Sequence, residues 1–297
     1  MTTDYLLGGQ LSELERLQLQ ARVWEPAGRA LLRRLGDGAG QRVLDVGCGA
    51  MGLLRPLSEW VGCDGTVVGT DVDERLLAAA ASFLEKEGLQ NVTVVEDDLF
   101  ASGLEPGSFD LVHARFQLAP LGRAEEQLDA YSRLLRPGGW LVLEEPDSAS
   151  WHFNPPAEAT ERLIALVHEA FAAAGGDFDA GRRLPALLHA RGLEPALDAH
   201  VVALPAGHPY LRLPLQFAAS LEQRLLALVS AGELESCGCV RSRSSRTASA
   251  GRPRSRWSRA TGRCRAPEDG SSASAGLAAK ARCKERERRD SNPRPPA

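Results

Sequence analysis

The stretch VLDVGCGAMG, residues 43–52, places three glycines in the pattern GxGxxG directly after an apolar run. This pattern is typical of a turn between a strand and a helix that cradles a dinucleotide, because glycine lets the backbone approach the ligand closely. Asp45 stands two residues before the first glycine, at a position that is normally apolar in a dinucleotide turn. A carboxylate there would repel two phosphates. Asp45 therefore favours a ligand without phosphate and with a positive charge nearby.

Strands and helices alternate around this turn. The sequence predicts strands at RVLDV, GTVVGTDVD, NVTVVEDD, FDLVHAR and WLVLEE, and helices at residues 51–61, DERLLAAAASFLEKEG and EEQLDAYSRLLR. RVLDV is apolar on both faces, as a strand covered by helices on each side must be. The alternation predicts an α/β fold with a doubly wound, mostly parallel sheet, whose ligand crevice lies outside the carboxyl ends of the strands.

Four regions follow from the pattern along the chain. Residues 1–38 are predicted to form an N-terminal helical lid, in which Pro26 kinks or splits the helical segment 11–35. Residues 39–150 form the ligand-binding core. Residues 151–236 complete the domain with a helical insertion, and the prediction there is a helix near 157–174, another near 181–191, an alternating stretch LEPALDAHVVAL, and a helix between Leu211 and Ala231.

The fourth region, residues 237–297, differs in composition and charge. It carries a net charge of +11, whereas residues 1–236 carry −15. Its few apolar residues predict disorder, and we find no stretch in it to supply the last antiparallel strand that such folds usually have, so the strand HVVALP around 200–205 is expected to lie unpaired. The abrupt change at residue 237 is what a frameshift produces. A basic arm for nucleic acid or membrane, or a zinc site, are alternatives, the latter at Cys237, Cys239, Cys264 and Cys283.

The motifs VLDVGCGAMG, VVGTDVD, VVEDDL, FDLVHARFQL and LLRPGGWLVLEEPD resemble, in this order and at these distances, the successive motifs of class I S-adenosylmethionine-dependent methyltransferases. The resemblance covers residues 40–148 and is greatest to small-molecule enzymes of the ubiquinone/menaquinone-biosynthesis type. It implies S-adenosyl-L-methionine as cofactor, with a cationic amine and a sulfonium. It also implies methyl transfer to a small organic acceptor through an oxygen, nitrogen or carbon nucleophile.

The resemblance also implies which residues bind the cofactor. Those implied at the methionine end are Asp45, Gly47, Cys48 and Gly49. Asp71 and Val72 would hold the ribose, Asp98 and Leu99 the adenine, and Arg115 the methionine or the substrate. Each acid has a plain alternative as a helix N-cap or a solvated turn residue, and Cys48 as a small residue in a tight loop. The lid offers Tyr5 and Trp24 as aromatic residues of the pocket, or of the core.

Methyl transfer needs no dedicated base, because holding the nucleophile, the methyl carbon and the sulfur in line supplies much of the acceleration. For a hydroxyl acceptor, His113 is one candidate to take its proton. An acid among Glu144, Glu145 and Asp147 is the other, and Glu145 is the first choice of the three. Only one of these acids is expected to face the crevice. The alternative for His113 is a packed or hydrogen-bonded histidine inside a strand.

Several classes of partner are not expected. The acidic surface argues against nucleic acid, and the segment ARFQLAP lacks the NPPY-type sequence of enzymes that methylate a flipped base. No metal site is expected, since His113 and Arg115 supply no oxygen ligands after the fourth strand. No apolar run approaches membrane-spanning length and the N-terminus lacks a signal pattern, which predicts a cytoplasmic protein. A non-catalytic or truncated relative and a nicotinamide-dependent oxidoreductase remain alternatives.

Overall fold

The computed structural model describes residues 11–237 and 271–282, and for residues 11–12 and 271–282 it describes the backbone only. The strands are β1 Arg42–Val46, β2 Thr66–Asp71, β3 Val92–Glu96, β4 Phe109–Arg115, β5 Leu135–Asn154, β6 Glu194–Leu204 and β7 Ser271–Arg282. The α-helices are α1 Leu11–Leu35, α2 Leu54–Val61, α3 Glu74–Glu87, α4 Leu118–Leu121, α5 Ala124–Leu134, α6 Glu158–Ala173, α7 Ala180–His189, α8 Leu213–Ser220, α9 Glu222–Leu228 and α10 Ala231–Ser236. Two 3-10 helices lie at Leu99–Ala101 and Pro209–Arg212.

The described strands form one sheet in the order β3-β2-β1-β4-β5-β7-β6. Strands β1 to β5 are parallel, and Val43 of β1 lies beside Val67 of β2 and Leu111 of β4. The predicted doubly wound, mostly parallel α/β sheet is confirmed. The order in which strands are added to the sheet reverses between β1 and β4, since β2 and β3 lie on one side and β5 on the other. The carboxyl ends of β1 and β4 therefore flank the crevice where such sheets bind ligands.

Strand β7 corrects the sequence prediction. It runs antiparallel between β5 and β6, with Ala279 opposite both Leu143 and Leu197. The expectation that the last antiparallel strand is missing, and that β6 lies unpaired, is wrong, and a strand replaces the expected disorder in these twelve residues. The composition of the whole region hid the run SSASAGLAAKAR, which contains no proline. A strand between two others is held by main-chain hydrogen bonds on both edges, and composition does not register them.

The rest of the predicted tail, residues 238–270 and 283–297, lies outside the described residues. This includes Cys239, Cys264 and Cys283 of the zinc alternative. Cys237 is described, and it is buried in the helical cluster that contains Phe217. The assignment of residues 237–297 to a frameshift stays a prediction.

The core covers both faces of the sheet, which explains the apolar character of β1. Val43 packs in a cluster with Leu57 of α2, and the same cluster includes residues of α1 and α3. Leu44 points to the opposite face and packs in a cluster with Leu128 of α5 and Leu184 of α7. Because both side chains are completely buried, β1 cannot alternate between apolar and polar residues.

Helix α1 is one uninterrupted helix of 25 residues with Pro26 inside it. The prediction that Pro26 splits this segment into two helices is wrong. A proline removes one main-chain donor from a helix, but packing on both sides of it can offset that loss. Trp24 is buried before Pro26, and Leu31 and Leu32 are buried after it.

A second cluster of helices covers the carboxyl edge of the sheet. Trp24 of α1 packs there with residues of α6, α8, α9 and α10, including Phe171, Phe217 and Leu225. The helix predicted between Leu211 and Ala231 is divided into α8 and α9. In the described part of the chain, no helix combines the length and the apolar character that a membrane span requires.

Candidate active site

The three glycines of the loop between β1 and α2 share one backbone conformation but differ in what surrounds them. Gly47, Gly49 and Gly52 all have positive φ values of 63°, 55° and 47°. A Cβ on Gly47 would lie 2.2 Å from Nε2 of Gln117, and a Cβ on Gly52 would lie 2.3 Å from Oδ2 of Asp45. On Gly49 the nearest atom would be 3.8 Å away. Only Gly49 therefore faces a space that a ligand could enter.

Asp45 does not face that space. Only 2% of the residue is exposed, its Oδ1 lies 2.6 Å from Nδ1 of His113, and its Oδ2 accepts a hydrogen bond of 2.9 Å from the main-chain N–H of Leu53. The carboxylate therefore closes the loop onto the start of α2. Because this charge is buried and paired with His113, it would not repel a diphosphate bound at the loop.

His113 belongs to a buried charge chain, defined here as Asp45, His113, Glu144 and Arg115. His113 is 1% exposed in the middle of β4, and its Nε2 lies 2.9 Å from Oε1 of Glu144. Arg115 donates to the same oxygen from Nε at 3.0 Å and from Nη2 at 2.6 Å. The chain thus joins β1, β4 and β5 through alternating negative and positive groups.

The buried charge chain keeps His113 protonated. Burial lowers the pKa of His113, but Asp45 and then Glu144 outweigh burial and raise it to about 9. Burial raises the pKa of Glu144, but the charge of Arg115 and the hydrogen bond from His113 lower it to about 2. With both nitrogens directed to carboxylates, His113 is not arranged to receive a proton from a substrate. The structure brings it to the plain alternative, a hydrogen-bonded histidine.

Glu145 is also directed away from the crevice. It is completely buried, and its Oε1 accepts hydrogen bonds of 2.9 Å from the main-chain N–H groups of Gln117 and Leu118. Its Oε2 accepts another from Ala119 at 3.1 Å. Burial raises the pKa of Glu145 to about 7, and these three hydrogen bonds oppose the rise. The geometry is that of a side chain that anchors the start of α4.

The two acids predicted to hold a nucleoside lie at the ends of β2 and β3. Asp71 accepts main-chain hydrogen bonds from Gly49 at 2.9 Å and from Asp73 at 3.0 Å, so it ties β2 to the glycine loop. Burial raises the pKa of Asp71, against these hydrogen bonds. Asp98 is exposed, and one of its oxygens caps the 3-10 helix through Phe100. Each carboxylate keeps lone pairs for a further donor.

The remaining predicted residues lie around these acids. Val72 is 57% exposed directly after Asp71, and Leu99 is 9% exposed directly after Asp98. Cys48 is 3% exposed, and burial raises the pKa of its thiol well above the usual range, as in a packed loop residue. Arg115 is turned toward Glu144, although its Nη1 is buried without a hydrogen-bond partner. Tyr5 lies outside the described residues.

A cavity that is partly open to solvent is lined mainly by residues of the helical cluster. Its aromatic lining consists of Trp24, Phe116, Trp151, Phe171, Phe178, Tyr210 and Phe217. Its polar lining consists of Arg16, Gln20, Asp147, Ser148 and Tyr210. We call it the aromatic cavity. The prediction that one of three acids faces the crevice is answered by Asp147, since Glu144 and Glu145 are buried elsewhere.

The aromatic cavity lies next to the glycine loop through two pairs of neighbouring residues. Arg16 lines the cavity, and Leu17 beside it is the nearest neighbour of the open space at Gly49. Phe116 lines the cavity, and Gln117 beside it packs on the loop. A ligand over Gly49 would therefore be next to a second ligand in the cavity.

Sequence reasoning missed most of this lining. Of the cavity aromatics it offered only Trp24, and Arg16 was not singled out. The signal that could have found the others is their concentration, since Trp151, Phe171, Phe178, Tyr210 and Phe217 all fall in the segment predicted as a helical insertion. Helical periodicity alone does not tell a core aromatic from one that lines a cavity.

Comparison with known proteins matches this core to one family. A methyltransferase domain family matches residues 43–139. Nocamycin O-methyltransferase of Saccharothrix syringae is 37% identical over 123 residues, which cover 41% of this chain and 44% of that protein. Demethylmenaquinone methyltransferase of Lactococcus lactis is 34% identical over 114 residues, which cover 38% and 45%. Over residues 43–139 the core is thus similar to class I S-adenosylmethionine-dependent methyltransferase domains.

A solved structure extends the likeness of fold beyond the matched core. Phosphoethanolamine N-methyltransferase 2 of Haemonchus contortus, in complex with S-adenosylhomocysteine, aligns with a TM-score of 0.54 at 16% identity and covers 96% of this chain and 61% of that one. This likeness concerns the fold. The chain spans between 44% and 64% of the length of the first curated relatives it matches. The predicted resemblance, including that to the menaquinone-type enzymes, is confirmed, and S-adenosylmethionine is the cofactor of the family.

Proposed function

We propose that the methyltransferase domain binds S-adenosylmethionine over Gly49 and Asp71 and transfers its methyl group to a small organic acceptor in the aromatic cavity. The observation that carries this proposal is the position of the cavity beside the one open glycine of the loop. Two substrates held side by side in this way can react without diffusing, which is the main requirement for a displacement at carbon.

The residues present fit the cofactor. Asp71 has two oxygens that each accept one main-chain hydrogen bond, so lone pairs remain for the two ribose hydroxyls. Val72 presents an exposed apolar surface beside it, whereas Leu99, beside Asp98, is 9% exposed and offers only a small apolar edge. An adenine ring can pack on the apolar side chains while Asp98 accepts from its amino group. The methionine end would then lie over Gly49, where no side chain blocks it.

Bound S-adenosylmethionine supplies a methyl group activated by the sulfonium. The chain supplies orientation and a dry surface, because the aromatic walls exclude water from the acceptor. Asp147 is the acid on this surface. Its Oδ1 accepts from Arg182 at 2.6 Å and its Oδ2 accepts from Ser150, and although burial raises its pKa, these bonds lower it overall. A carboxylate held ionised in this way can receive a hydrogen bond from an acceptor hydroxyl, but it is a weak base.

The character of the cavity lining supports a small organic acceptor. Seven aromatic side chains suit a planar or apolar molecule better than a polymer. Two relatives carry the names of enzymes for nocamycin and demethylmenaquinone, both small molecules, and this supports the same class here. A non-catalytic protein with the same fold would keep the loop and show no turnover.

Calorimetry with S-adenosylhomocysteine tests the first half of the proposal. We expect the wild-type chain to bind it, and Asp71→Ala to weaken binding by about 1–3 kcal/mol through the lost ribose hydrogen bonds. Asp64→Ala is the matched control, since Asp64 is an exposed acid at the opposite end of β2. Heat from NAD and none from S-adenosylhomocysteine would contradict the proposal and favour the oxidoreductase.

Mass spectrometry tests the second half. The chain is incubated with S-adenosylmethionine and a panel of phenol, quinol and amine metabolites, and the expected product carries the mass of one added methyl group. Binding of S-adenosylhomocysteine with no methylated product from any acceptor class would favour the non-catalytic alternative.

A further inference from the structure

The aromatic cavity contains hydrogen-bond donors without a partner among the described residues, whereas each oxygen of Asp147 already accepts one hydrogen bond. Arg16 is 5% exposed, and its Nη1 donates to Gln20 at 3.2 Å. Within the described residues its Nη2 is buried without a hydrogen-bond partner, although it forms an ion pair with Oε1 of Glu13 at 3.6 Å. That distance is too long for a hydrogen bond. A guanidinium with five N–H groups therefore has donors to spare in this cavity.

Tyr210 adds a second donor. Its hydroxyl oxygen accepts from Nε1 of Trp24 at 3.2 Å, and within the described residues its own proton is not donated. Burial raises the pKa of this hydroxyl to about 12, against the charges of Arg16 and Arg115, so the hydroxyl keeps its proton and can donate it. The oxygens of Asp147, by contrast, accept from Arg182 and Ser150. A methyl-accepting substrate bound here would satisfy the donors of Arg16 and Tyr210 best if it carried oxygens that accept hydrogen bonds.

The walls restrict the rest of that molecule. Phe217 packs edge-on against Trp151 at 6.3 Å and against Phe171 at 5.7 Å between ring centroids. The guanidinium carbon of Arg16 lies 5.3 Å from the centroid of Phe217. The guanidinium of Arg16 thus lies against an aromatic wall. An aromatic ring that carries an anionic oxygen group would match both the guanidinium and the wall.

We infer that the acceptor is an aromatic compound with an anionic oxygen group, such as a carboxylate, and that Arg16 is the residue that selects for this group. The inference rests on the proposed function and deepens it. Arg16 binds the anion at a point away from the reacting atom. The acceptor oxygen or carbon that takes the methyl group lies at another position of the ring.

The test compares two ligands that differ in one charge. Calorimetric titrations at pH 7.5 use 6-hydroxy-2-naphthoate and its methyl ester, in the presence of S-adenosylhomocysteine. The wild-type chain is expected to bind the acid at least about tenfold more tightly than the ester, because a charge-assisted hydrogen bond to a buried arginine is lost in the ester. Arg16→Gln should reduce this preference to about twofold or less.

Two further variants keep the test decisive. Arg16→Lys retains the charge and should retain part of the preference, and Arg22→Gln removes an exposed arginine from the same helix and should leave it intact. Equal binding of acid and ester by the wild-type chain overturns the inference, and that comparison does not depend on any variant. A preference that survives in Arg16→Gln, or failure of both naphthalene ligands to bind while S-adenosylhomocysteine binds, overturns it as well. Failure of S-adenosylhomocysteine itself to bind would instead contradict the proposed function.

Discussion

The buried charge chain makes the stability of the protein depend on pH in a defined window. His113 is fully buried, and its pKa in the folded chain is raised from 6.5 to about 9. A group whose pKa is raised on folding contributes stability that is fully present below its unfolded pKa and is lost as pH rises through its folded pKa. The contribution of His113 is therefore complete below about pH 6.5 and largely lost by about pH 9.

The magnitude follows from the size of the shift. Each pKa unit corresponds to about 1.4 kcal/mol, so the rise from 6.5 to about 9 is worth about 3 kcal/mol. Urea unfolding followed by circular dichroism at constant ionic strength measures this as a fall in the free energy of unfolding between pH 6.5 and pH 9. The comparison ends at pH 9, because burial also raises the pKa of the Cys48 thiol and adds a second loss above that pH.

The variant His113→Asn isolates the effect. At pH 6.5 it should be less stable than the wild type by about 3–5 kcal/mol, since it leaves the buried carboxylate of Asp45 without its cation and Glu144 with Arg115 alone. At pH 9 the difference should shrink by about 3 kcal/mol. His189→Asn, at an exposed histidine, should follow the wild type throughout. If wild type and His113→Asn lose stability in parallel from pH 6.5 to 9, the protonated state of His113 is refuted.

Three further predictions concern other parts of the fold, and unfolding measurements check each of them. Gly52→Ala should cost about 1–3 kcal/mol more than Gly36→Ala, because both positions have positive φ but a Cβ on Gly52 would also lie 2.8 Å from the main-chain oxygen of Cys48; equal costs would contradict this. Glu145→Ala should cost at least about 2 kcal/mol, because it leaves the buried main-chain donors at the start of α4 without an acceptor; a stability change under 0.5 kcal/mol, in the range of roughly neutral surface changes, would refute the anchoring role. Ala279→Pro should cost about 3 kcal/mol or more, whereas Ala279→Ser should cost little, because the proline disrupts the pairing of β7 with its neighbours β5 and β6; equal stability of the two variants would argue against β7.

The fold of residues 39–150 could be predicted because its signals are local. RVLDV is apolar on both faces, and Gly88 ends α3 in the left-handed conformation that favours glycine. Strand β7 could not be predicted, because a strand of small residues between two others has no period of its own. The continuity of α1 through Pro26 could not be predicted either, since it depends on the tertiary packing of Trp24 and Leu31.

The candidate site was predictable in position but not in roles. The sequence placed Asp71 and Asp98 at the ends of neighbouring strands, and the structure has them there. The direction of a side chain within a strand was not predictable where two acids are adjacent, so Glu145 was favoured over Asp147. For Asp45 the missing information was its partner. His113 lies 68 residues away in sequence, and only the parallel pairing of β1 with β4 brings it within 2.6 Å.

In the proposed function the cofactor lies over Gly49 and is held at Asp71. A crystal structure of the full chain with S-adenosylhomocysteine tests it most directly. We expect both ribose hydroxyls within about 3.2 Å of the Asp71 carboxylate and the amino acid end of the ligand against the main chain of Gly49, with the sulfur directed at the aromatic cavity. S-adenosylhomocysteine bound elsewhere, with the Asp71 carboxylate making only its contacts to Gly49 and Asp73, would contradict the account.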